Sequence, residues 1–206
     1  MAGMDHPDGL EALAAQLGAL PPSCGPVRLV AVDGHAGSGK TTFAARLARA
    51  LGGAPVVHLD DLATHEELFG WTGRLRGQVL EPLSRGEHAR HRVYDWVSRR
   101  FEGACDVPPA PVVLVEGVGA GRRAVRPLLA ALIWMELPAE AARARGELRD
   151  GPELAAFWER WSAAEAAHFA RDPSRPYAQL LVDGRTGRVT RTSAFDGVVD
   201  RVPGNN

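Results

Sequence analysis

The chain has 206 residues, a formal net charge of −1 at pH 7 and hydrophobic residues at 45% of its positions. These values are typical of one globular domain and argue against a protein that works by coating nucleic acid. No apolar run approaches the roughly 18 residues that span a bilayer, and the polar N-terminus lacks the pattern of a secretory signal, so we predict a cytoplasmic protein without a membrane or nucleic-acid partner.

The first predicted elements lead to a glycine-rich loop. Residues 10–20 have the pattern of a short helix with one apolar face, which Pro21 and Pro22 end. We interpret residues 1–22 as an N-terminal packing helix. Residues 27–32 are typical of a buried strand, and residues 42–51 have the periodicity of an amphipathic helix.

The loop between this strand and helix contains a complete phosphate-binding motif, G-x-x-x-x-G-K-[ST], from Gly34 to Thr41. Glycines let backbone N–H groups turn toward phosphates, and the N-terminus of the following helix favours negative charge. Lys40, the only lysine in the chain, can reach the β- and γ-phosphates, and the Thr41 hydroxyl can bind Mg²⁺. We therefore predict ATP and Mg²⁺ as cofactors. The predicted nucleotide-binding residues are Gly34, Ala36, Gly37, Ser38, Gly39, Lys40, Thr41 and Thr42.

Two further predicted strands end in acidic residues. Residues 54–59 end at Asp60 and Asp61, and the apolar run that starts at Val112 ends at Glu116. The carboxyl ends of strands in an open α/β sheet are where ligands bind, so these acids are candidates for chemistry. Asp60 is the predicted catalytic base, and Thr41, Asp60 and Glu116 are the predicted Mg²⁺ ligands. The alternatives are a helix N-cap for the aspartate pair and a structural hydrogen bond for Glu116.

The rest of the chain alternates between helical and extended patterns. The first predicted elements are helical structure over 65–86 with a break near Pro82, a basic and aromatic stretch over 88–101, and a strand over 132–137. Helices over 139–149 and 153–170 follow, and then a final strand over 180–182 before a polar tail, 184–206. This order predicts an α/β fold. The predicted fold is that of a P-loop NTPase and forms one domain, 1–206. Its sheet is predicted to be doubly wound and mostly parallel, with about five strands and helices on both faces.

Four ordered motifs resemble the uridine kinase group of P-loop kinases, which is related to phosphoribulokinase and bacterial pantothenate kinase. The motifs are residues 34–42, 59–61, 94–100 and 115–117. The resemblance implies transfer of the ATP γ-phosphate to a hydroxyl of a small-molecule acceptor, with Asp60 as catalytic base. It also implies a nucleoside-binding segment around residues 94–100. The predicted substrate-binding residues are Asp61, Tyr94, Trp96 and Arg99.

The side chains of this segment are themselves suited to a flat ligand. Tyr94 and Trp96 alternate on a short extended segment, so they share one face, and Arg99 lies beside them. Arginine only donates hydrogen bonds, so we expect Arg99 to favour carbonyl or anionic oxygens of the acceptor. The alternative is that Trp96 anchors the core and the arginines are solvated.

Arginines near residue 149 have a predicted role in catalysis. Phosphoryl transfer spreads negative charge over the equatorial oxygens, which a guanidinium can neutralise. Arg149, which matches the lid segment of the resembling family, is the preferred candidate among Arg143, Arg145 and Arg149. The alternative is an exposed helix arginine. The aromatic pair Trp158 and Trp161, at helical spacing, is interpreted as core.

Other functions remain as alternatives at this point. They are a P-loop kinase for a non-nucleoside metabolite and a nucleotide-binding regulatory protein without catalysis, which the acids Asp60 and Glu116 argue against. A GTPase with an Asn-Lys-x-Asp motif is excluded because Lys40 is the only lysine. Cys24 and Cys105 are predicted to be free thiols. A homo-oligomer is compatible with the sequence.

Overall fold

A six-stranded, mostly parallel sheet forms the centre of the computed structural model, which describes residues 7–192. In spatial order its strands are β2 (Val56–His58), β5 (Val112–Glu116), β1 (Arg28–Asp33), β6 (Leu129–Glu136), β7 (Leu180–Asp183) and β8 (Val189–Arg191). The strands β1 and β5 read as continuous apolar runs because helices cover both faces of the sheet. The predicted fold class is confirmed.

The helices divide between the two faces of this sheet. Their bounds are α1 (Pro7–Ala19), α2 (Lys40–Ala50), α3 (Thr72–Leu75) and α4 (Glu81–Ser84) joined by a π-helical segment (Arg76–Leu80), α5 (Ala139–Asp150) and α6 (Ala155–Arg171). Side chains alternate along β1, so Val30 and Val32 pack with α1 and α2, whereas Leu29 and Ala31 pack with the α3–α4 region. Each face of the sheet therefore has its own hydrophobic core.

The C-terminal region differs from its prediction. The strand β7 is not the last strand, because the chain turns back after Asp183 and β8 pairs antiparallel with β7. The Asp183 carboxylate accepts hydrogen bonds from the backbone N–H groups of Arg185 and Thr186 at 2.9 and 2.8 Å, and Gly187 has φ +74°, so this polar segment is a tight turn. The prediction of about five strands was one too few. The rest of the predicted tail, 193–206, and residues 1–6 lie outside the described residues.

The basic and aromatic stretch forms a separate antiparallel hairpin of β3 (Ala89–Asp95) and β4 (Arg100–Val107). Because β3 ends at Asp95, Trp96 lies in the turn and not on the strand that carries Tyr94. The two rings still contact edge to face, with centroids 5.3 Å apart. Between residues 7 and 192, none of the helices combines the length and apolar character needed to cross a bilayer.

Candidate nucleotide and acceptor site

Three strands bring their carboxyl ends to one cavity of about 290 Å³. β1 leads into the phosphate loop, β2 leads to Asp60, and β5 ends at Glu116. The residues that line this cavity are Ala36, Gly37, Gly39, Lys40, Thr41, Thr42, Asp60, Glu116, Gly117, Val118, Arg145, Arg149 and Trp161. The structure therefore gathers most of the predicted nucleotide and metal residues in one place. We call this the nucleotide cavity.

The phosphate loop is shaped by its glycines. Gly37 has φ +83°, and a Cβ atom there would lie 2.1 Å from the backbone oxygen of Ala142, so α5 packs directly on the loop. Gly39 has φ +97° and caps the N-terminus of α2, whose first residue is Lys40. Lys40 donates a hydrogen bond from Nζ to the backbone oxygen of His35 at 2.9 Å, which holds its ammonium against the loop. The Ser38 hydroxyl is buried and has no hydrogen-bond partner among the described residues, so it is available to a ligand.

Glu116 links the phosphate loop to the neighbouring strand. Its Oε1 accepts a hydrogen bond from the Thr41 hydroxyl at 3.1 Å and lies 2.6 Å from His58 Nδ1. His58 is the register partner of Glu116 across β2 and β5, which explains the contact. The hydrogen bond to Glu116 raises the pKa of His58 despite its partial burial. His58 was missed from the sequence, although it directly precedes the Leu-Asp-Asp motif.

Asp60 lines the nucleotide cavity. Partial desolvation by the surrounding protein raises the pKa of its carboxyl, as do the charges of Glu116 and Asp61, while Lys40 and His58 act in the opposite direction. A raised pKa makes this carboxylate a better proton acceptor than an ordinary aspartate. Asp61 does not line the cavity, and its own pKa is raised mainly by desolvation. The structure thus gives the two aspartates different environments.

The oxygen ligands in the nucleotide cavity fit Mg²⁺. Thr41, Asp60 and Glu116 supply hydroxyl and carboxylate oxygens, which are the ligands this hard cation prefers. Among the described residues no group of three or more His, Cys, Asp or Glu side chains is arranged to hold a metal by itself. This agrees with the usual way in which Mg²⁺ binds, through one or two protein oxygens together with nucleotide phosphates and water.

Two arginines of α5 face the phosphate loop. Arg145 lines the nucleotide cavity and donates a hydrogen bond from Nη1 to the backbone oxygen of Gly184 at 2.8 Å. Arg149 also lines it, and its Nε and Nη2 donate hydrogen bonds to Asp150 at 2.5 and 2.8 Å. Arg143 does not line it and instead pairs with Glu147. The arginines of the predicted lid thus belong to a helix packed on the loop.

A second cavity, of about 350 Å³, adjoins the first. The two share Ala36, Asp60, Arg149 and Trp161. The remaining residues that line the second cavity are His65, Trp96, Val97, Asp150, Leu154, Phe157 and Trp158. We call it the acceptor cavity. Trp158 and Trp161 were interpreted as core, and they are buried, but their rings also form the wall of this cavity.

Of the four predicted substrate-binding residues, Trp96 alone lines the acceptor cavity. Trp96 lines it and donates a hydrogen bond from Nε1 to the backbone oxygen of Asp60 at 3.1 Å. Tyr94 is buried behind it, with its hydroxyl 3.0 Å from His65 Nδ1. Arg99 is exposed in the hairpin turn at φ +57° and is not among the lining residues. Neither Tyr94 nor Asp61 lines this cavity directly.

Asp33, at the end of β1, was missed from the sequence. Its buried carboxylate accepts hydrogen bonds from the backbone N–H groups of Gly34, Gly119 and Gly121 at 2.7, 2.8 and 2.9 Å. It thereby ties the start of the phosphate loop to the loop that follows Glu116. Its position directly before the phosphate-binding motif was a signal in the sequence that it could contact the loop.

Glu165, on α6, was also missed. Its Oε2 accepts hydrogen bonds from the backbone N–H of Ala36 at 3.0 Å and from Trp161 Nε1 at 3.1 Å, and its Oε1 lies 2.5 Å from His35 Nδ1. Burial alone would raise the pKa of Glu165, but the hydrogen bonds from His35 and Ala36 lower it overall. This carboxylate therefore fastens the phosphate loop to the helix that forms the wall of the acceptor cavity.

We expect Glu165→Gln to weaken the binding of Mg·ADP by about tenfold, because the loss of a charge-assisted hydrogen bond leaves the phosphate loop less well ordered. Titration calorimetry measures this directly. Glu159→Gln is the matched control, because Glu159 lies on the same helix but is exposed. An equal loss of affinity in both variants, or none in Glu165→Gln, would contradict the positioning role.

Comparisons with known proteins agree with this architecture. A family model described as an AAA domain matches residues 29–157. A curated Arabidopsis thaliana protein, inorganic pyrophosphatase TTM2, is 31% identical over 111 residues. That match includes 49% of this chain but only 16% of the relative, so the chain spans a small part of that protein.

Two solved structures have similar folds. A "Possible Uridine Kinase" from Bacillus stearothermophilus aligns with a TM-score of 0.61 over 85% of this chain and 98% of that one, at 19% identity. A "putative fructose transport system kinase" from Silicibacter sp. TM1040 aligns with a TM-score of 0.52 over 88% of this chain and 96% of that one, at 23% identity. At such identities the likeness concerns the fold. The chain therefore belongs to the AAA domain family and has the fold of uridine kinase-like P-loop kinases.

Proposed function

We propose that the protein is an ATP-dependent kinase that transfers the γ-phosphoryl group to a hydroxyl of a small molecule, with a nucleoside as the favoured acceptor. The observation that carries this proposal is the pair of adjoining cavities that share Asp60 and Arg149. One cavity is lined by residues of the phosphate loop, and the other is lined by aromatic rings. A hydroxyl held in the second cavity would thus meet a phosphoryl group held in the first.

The carboxylate of Asp60 would start the reaction as general base. It accepts the proton of the acceptor hydroxyl while the oxygen attacks the γ-phosphorus, and the bond from that phosphorus to the β–γ bridging oxygen breaks to release ADP. Trp96, which lines the acceptor cavity, donates a hydrogen bond to the backbone oxygen of Asp60 and so keeps this wall of the cavity next to the base. Mg²⁺, held through Thr41, Glu116 and Asp60, would supply charge neutralisation for the phosphates.

Cations around the phosphate loop would stabilise the charge that spreads over the transferred group. Lys40 is placed against the loop by the His35 backbone, and Arg145 and Arg149 approach from α5. Such contacts act by position and electrostatics, because phosphoryl transfer needs little covalent chemistry from the protein. The backbone N–H groups of the phosphate loop and the N-terminus of α2 add to this field.

The names of two fold neighbours support the proposal, since one is called a "Possible Uridine Kinase" and the other a "putative fructose transport system kinase". The name of the curated relative, an inorganic pyrophosphatase, supports a different reaction, the hydrolysis of a phosphoanhydride. The aromatic acceptor cavity favours transfer over hydrolysis, because water needs no such wall.

The free thiols Cys24 and Cys105 are compatible with the reducing cytoplasm.

The proposal is tested by an ATP-consumption screen with the purified protein. We expect ADP formation to depend on an added acceptor, and nucleosides to outperform sugars and vitamins. Phosphorylation of sugars or vitamins alone would contradict the nucleoside preference but leave the kinase activity intact. Release of phosphate from pyrophosphate, with no acceptor phosphorylated, would contradict the kinase itself.

A further inference from the structure

The helix α6 carries two buried polar side chains, Glu165 and His168, that lie three residues apart and so on one face. Glu165 contacts the phosphate loop. His168 instead lies against the segment 117–122, which follows Glu116: a Cβ atom built on Gly119 would be 2.7 Å from His168 Nε2. We call this segment the 117–122 loop. Residues of both loops line the nucleotide cavity, so one face of one helix contacts both.

Buried charges hold the 117–122 loop from its inner side. The carboxylate of Asp33 accepts a hydrogen bond from the backbone N–H of Gly119 at 2.8 Å. Arg122, which is 8% exposed, donates from Nε to the backbone oxygen of Gly119 at 3.3 Å and from Nη1 to that of Phe69 at 2.9 Å. Desolvation lowers the pKa of Arg122 to about 10, so the guanidinium still carries its charge at neutral pH.

Two buried polar atoms beside Gly119 have no hydrogen-bond partner within residues 7–192. They are Nη2 of Arg122 and Nε2 of His168. A Cβ atom built on Gly119 would lie 3.1 Å from the first and 2.7 Å from the second, so both atoms border the same small region. Buried polar atoms are nearly always paired, either with protein or with ordered water. A shared partner would satisfy both atoms at once.

Water suits this position better than an ion does. The charge of Asp33 already acts on Arg122, so an anion beside the guanidinium would also be repelled by this carboxylate. A cation would be repelled by Arg122 itself. Desolvation and the charge of Arg122 lower the pKa of His168, so the imidazole is neutral near pH 7. A water molecule can accept from Arg122 and either donate to or accept from His168, so it matches both neutral tautomers.

We propose that one buried water links His168 to Arg122, and that His168 thereby positions the 117–122 loop, and with it Glu116, from α6. His168 is a positioning residue, since it does not line the nucleotide cavity. The helix would then align both parts of this cavity, the phosphate loop through Glu165 and the predicted Mg²⁺ ligand through His168. The inference rests on the Mg·nucleotide binding of the proposed function and is independent of the acceptor.

Substitutions at residue 168 separate this polar link from packing. His168→Phe keeps a ring that can stack on Phe69, whose centroid lies 4.9 Å from that of the imidazole, but removes Nε2. His168→Gln keeps a polar group that can bond the water. His88→Phe is the matched control, because it makes the same change at an exposed histidine. Thermal unfolding of each variant checks that the fold is retained.

Calorimetry measures the affinity for ADP with and without Mg²⁺. We expect Mg²⁺ to tighten ADP binding about tenfold less in His168→Phe than in the unaltered protein, the scale seen when a group that orients a metal ligand is lost. Without Mg²⁺ the affinity should be unchanged, because Glu165 still holds the phosphate loop. His168→Gln should recover most of the Mg²⁺ effect, and His88→Phe should retain all of it.

An equal loss of ADP affinity with and without Mg²⁺ in His168→Phe would overturn the positioning role, as would no loss or the same loss in His88→Phe. A crystal structure of the unaltered protein tests the link itself, which predicts one water within about 3.2 Å of both nitrogens. A direct bond between the two side chains, or no water there, would overturn the link. A bound water together with no binding of Mg·ADP would support the link while contradicting both the positioning role and the proposed function.

Discussion

Asp60→Asn should lower the acceptor-dependent rate by about 10²-fold or more, which is the usual cost of losing a general base. The asparagine keeps the shape of the side chain but cannot accept the proton of the hydroxyl. Because Asp60 lies near the like charges of Glu116 and Asp61, the neutral asparagine should also leave the melting temperature unchanged or higher. The rate is measured with saturating Mg·ATP, and the affinity for Mg·ADP by calorimetry.

Asp61→Asn is the matched control for this prediction. Asp61 carries the same charge one residue away but lines neither cavity. We expect a much smaller effect on the rate. If Asp61→Asn gave the large defect and Asp60→Asn did not, the catalytic base would be the neighbouring residue.

Lys40→Ala should reduce turnover by about 10²- to 10³-fold, the range seen when a preorganised donor to developing charge is removed. Lys40 is the only lysine of the chain and lies in the nucleotide cavity against the phosphate loop. Within residues 7–192 the Lys40 side chain donates one hydrogen bond, to the backbone of His35, so we expect only a small loss of stability. Steady-state kinetics and thermal unfolding, measured on the same preparation, separate the two effects.

Two further variants sharpen this test. Lys40→Met keeps most of the side-chain volume and removes the charge, so it should match Lys40→Ala in rate. Lys40→Arg keeps the charge but replaces a compact ammonium with a planar fork, so it should recover part of the activity at most. A variant without the ammonium that turns over at the unaltered rate would contradict the role of Lys40.

Most residues that line the nucleotide cavity could be predicted from the sequence to lie together, because their positions follow from local patterns. The phosphate loop is eight contiguous residues, and Asp60 and Glu116 were found because strand ends converge in a parallel sheet. His58 escaped notice because its contact with Glu116 depends on the register between β2 and β5, which residue patterns do not reveal.

Residues that support the loop from a distance were harder to predict. Glu165 is 129 positions from Ala36 and reaches it only because α6 packs across the loop. A partial signal existed, since Glu165 lies four residues after Trp161 and thus on the same face of a helix. A charged residue on the aromatic, buried face of a helix is a reason to look for a partner.

The acceptor cavity was the least predictable part of the site. The sequence indicated Tyr94, Trp96 and Arg99 from one segment, but of these Trp96 alone lines the cavity. The opposite wall comes from α6, whose rings could equally have been core. Which rings border a cavity depends on how the hairpin and the helix pack together, and this is a tertiary property.

Transfer of labelled phosphate tests the central claim most directly. The protein would be incubated with Mg²⁺, ATP labelled at the γ-phosphate and a neutral nucleoside, and the products separated and identified by mass spectrometry. The proposed function predicts that the label appears on the nucleoside hydroxyl in equal amount to ADP, and that Asp60→Asn lowers the rate of this transfer by about 10²-fold or more. Label found in inorganic phosphate alone, at a rate that no added acceptor changes, would contradict it.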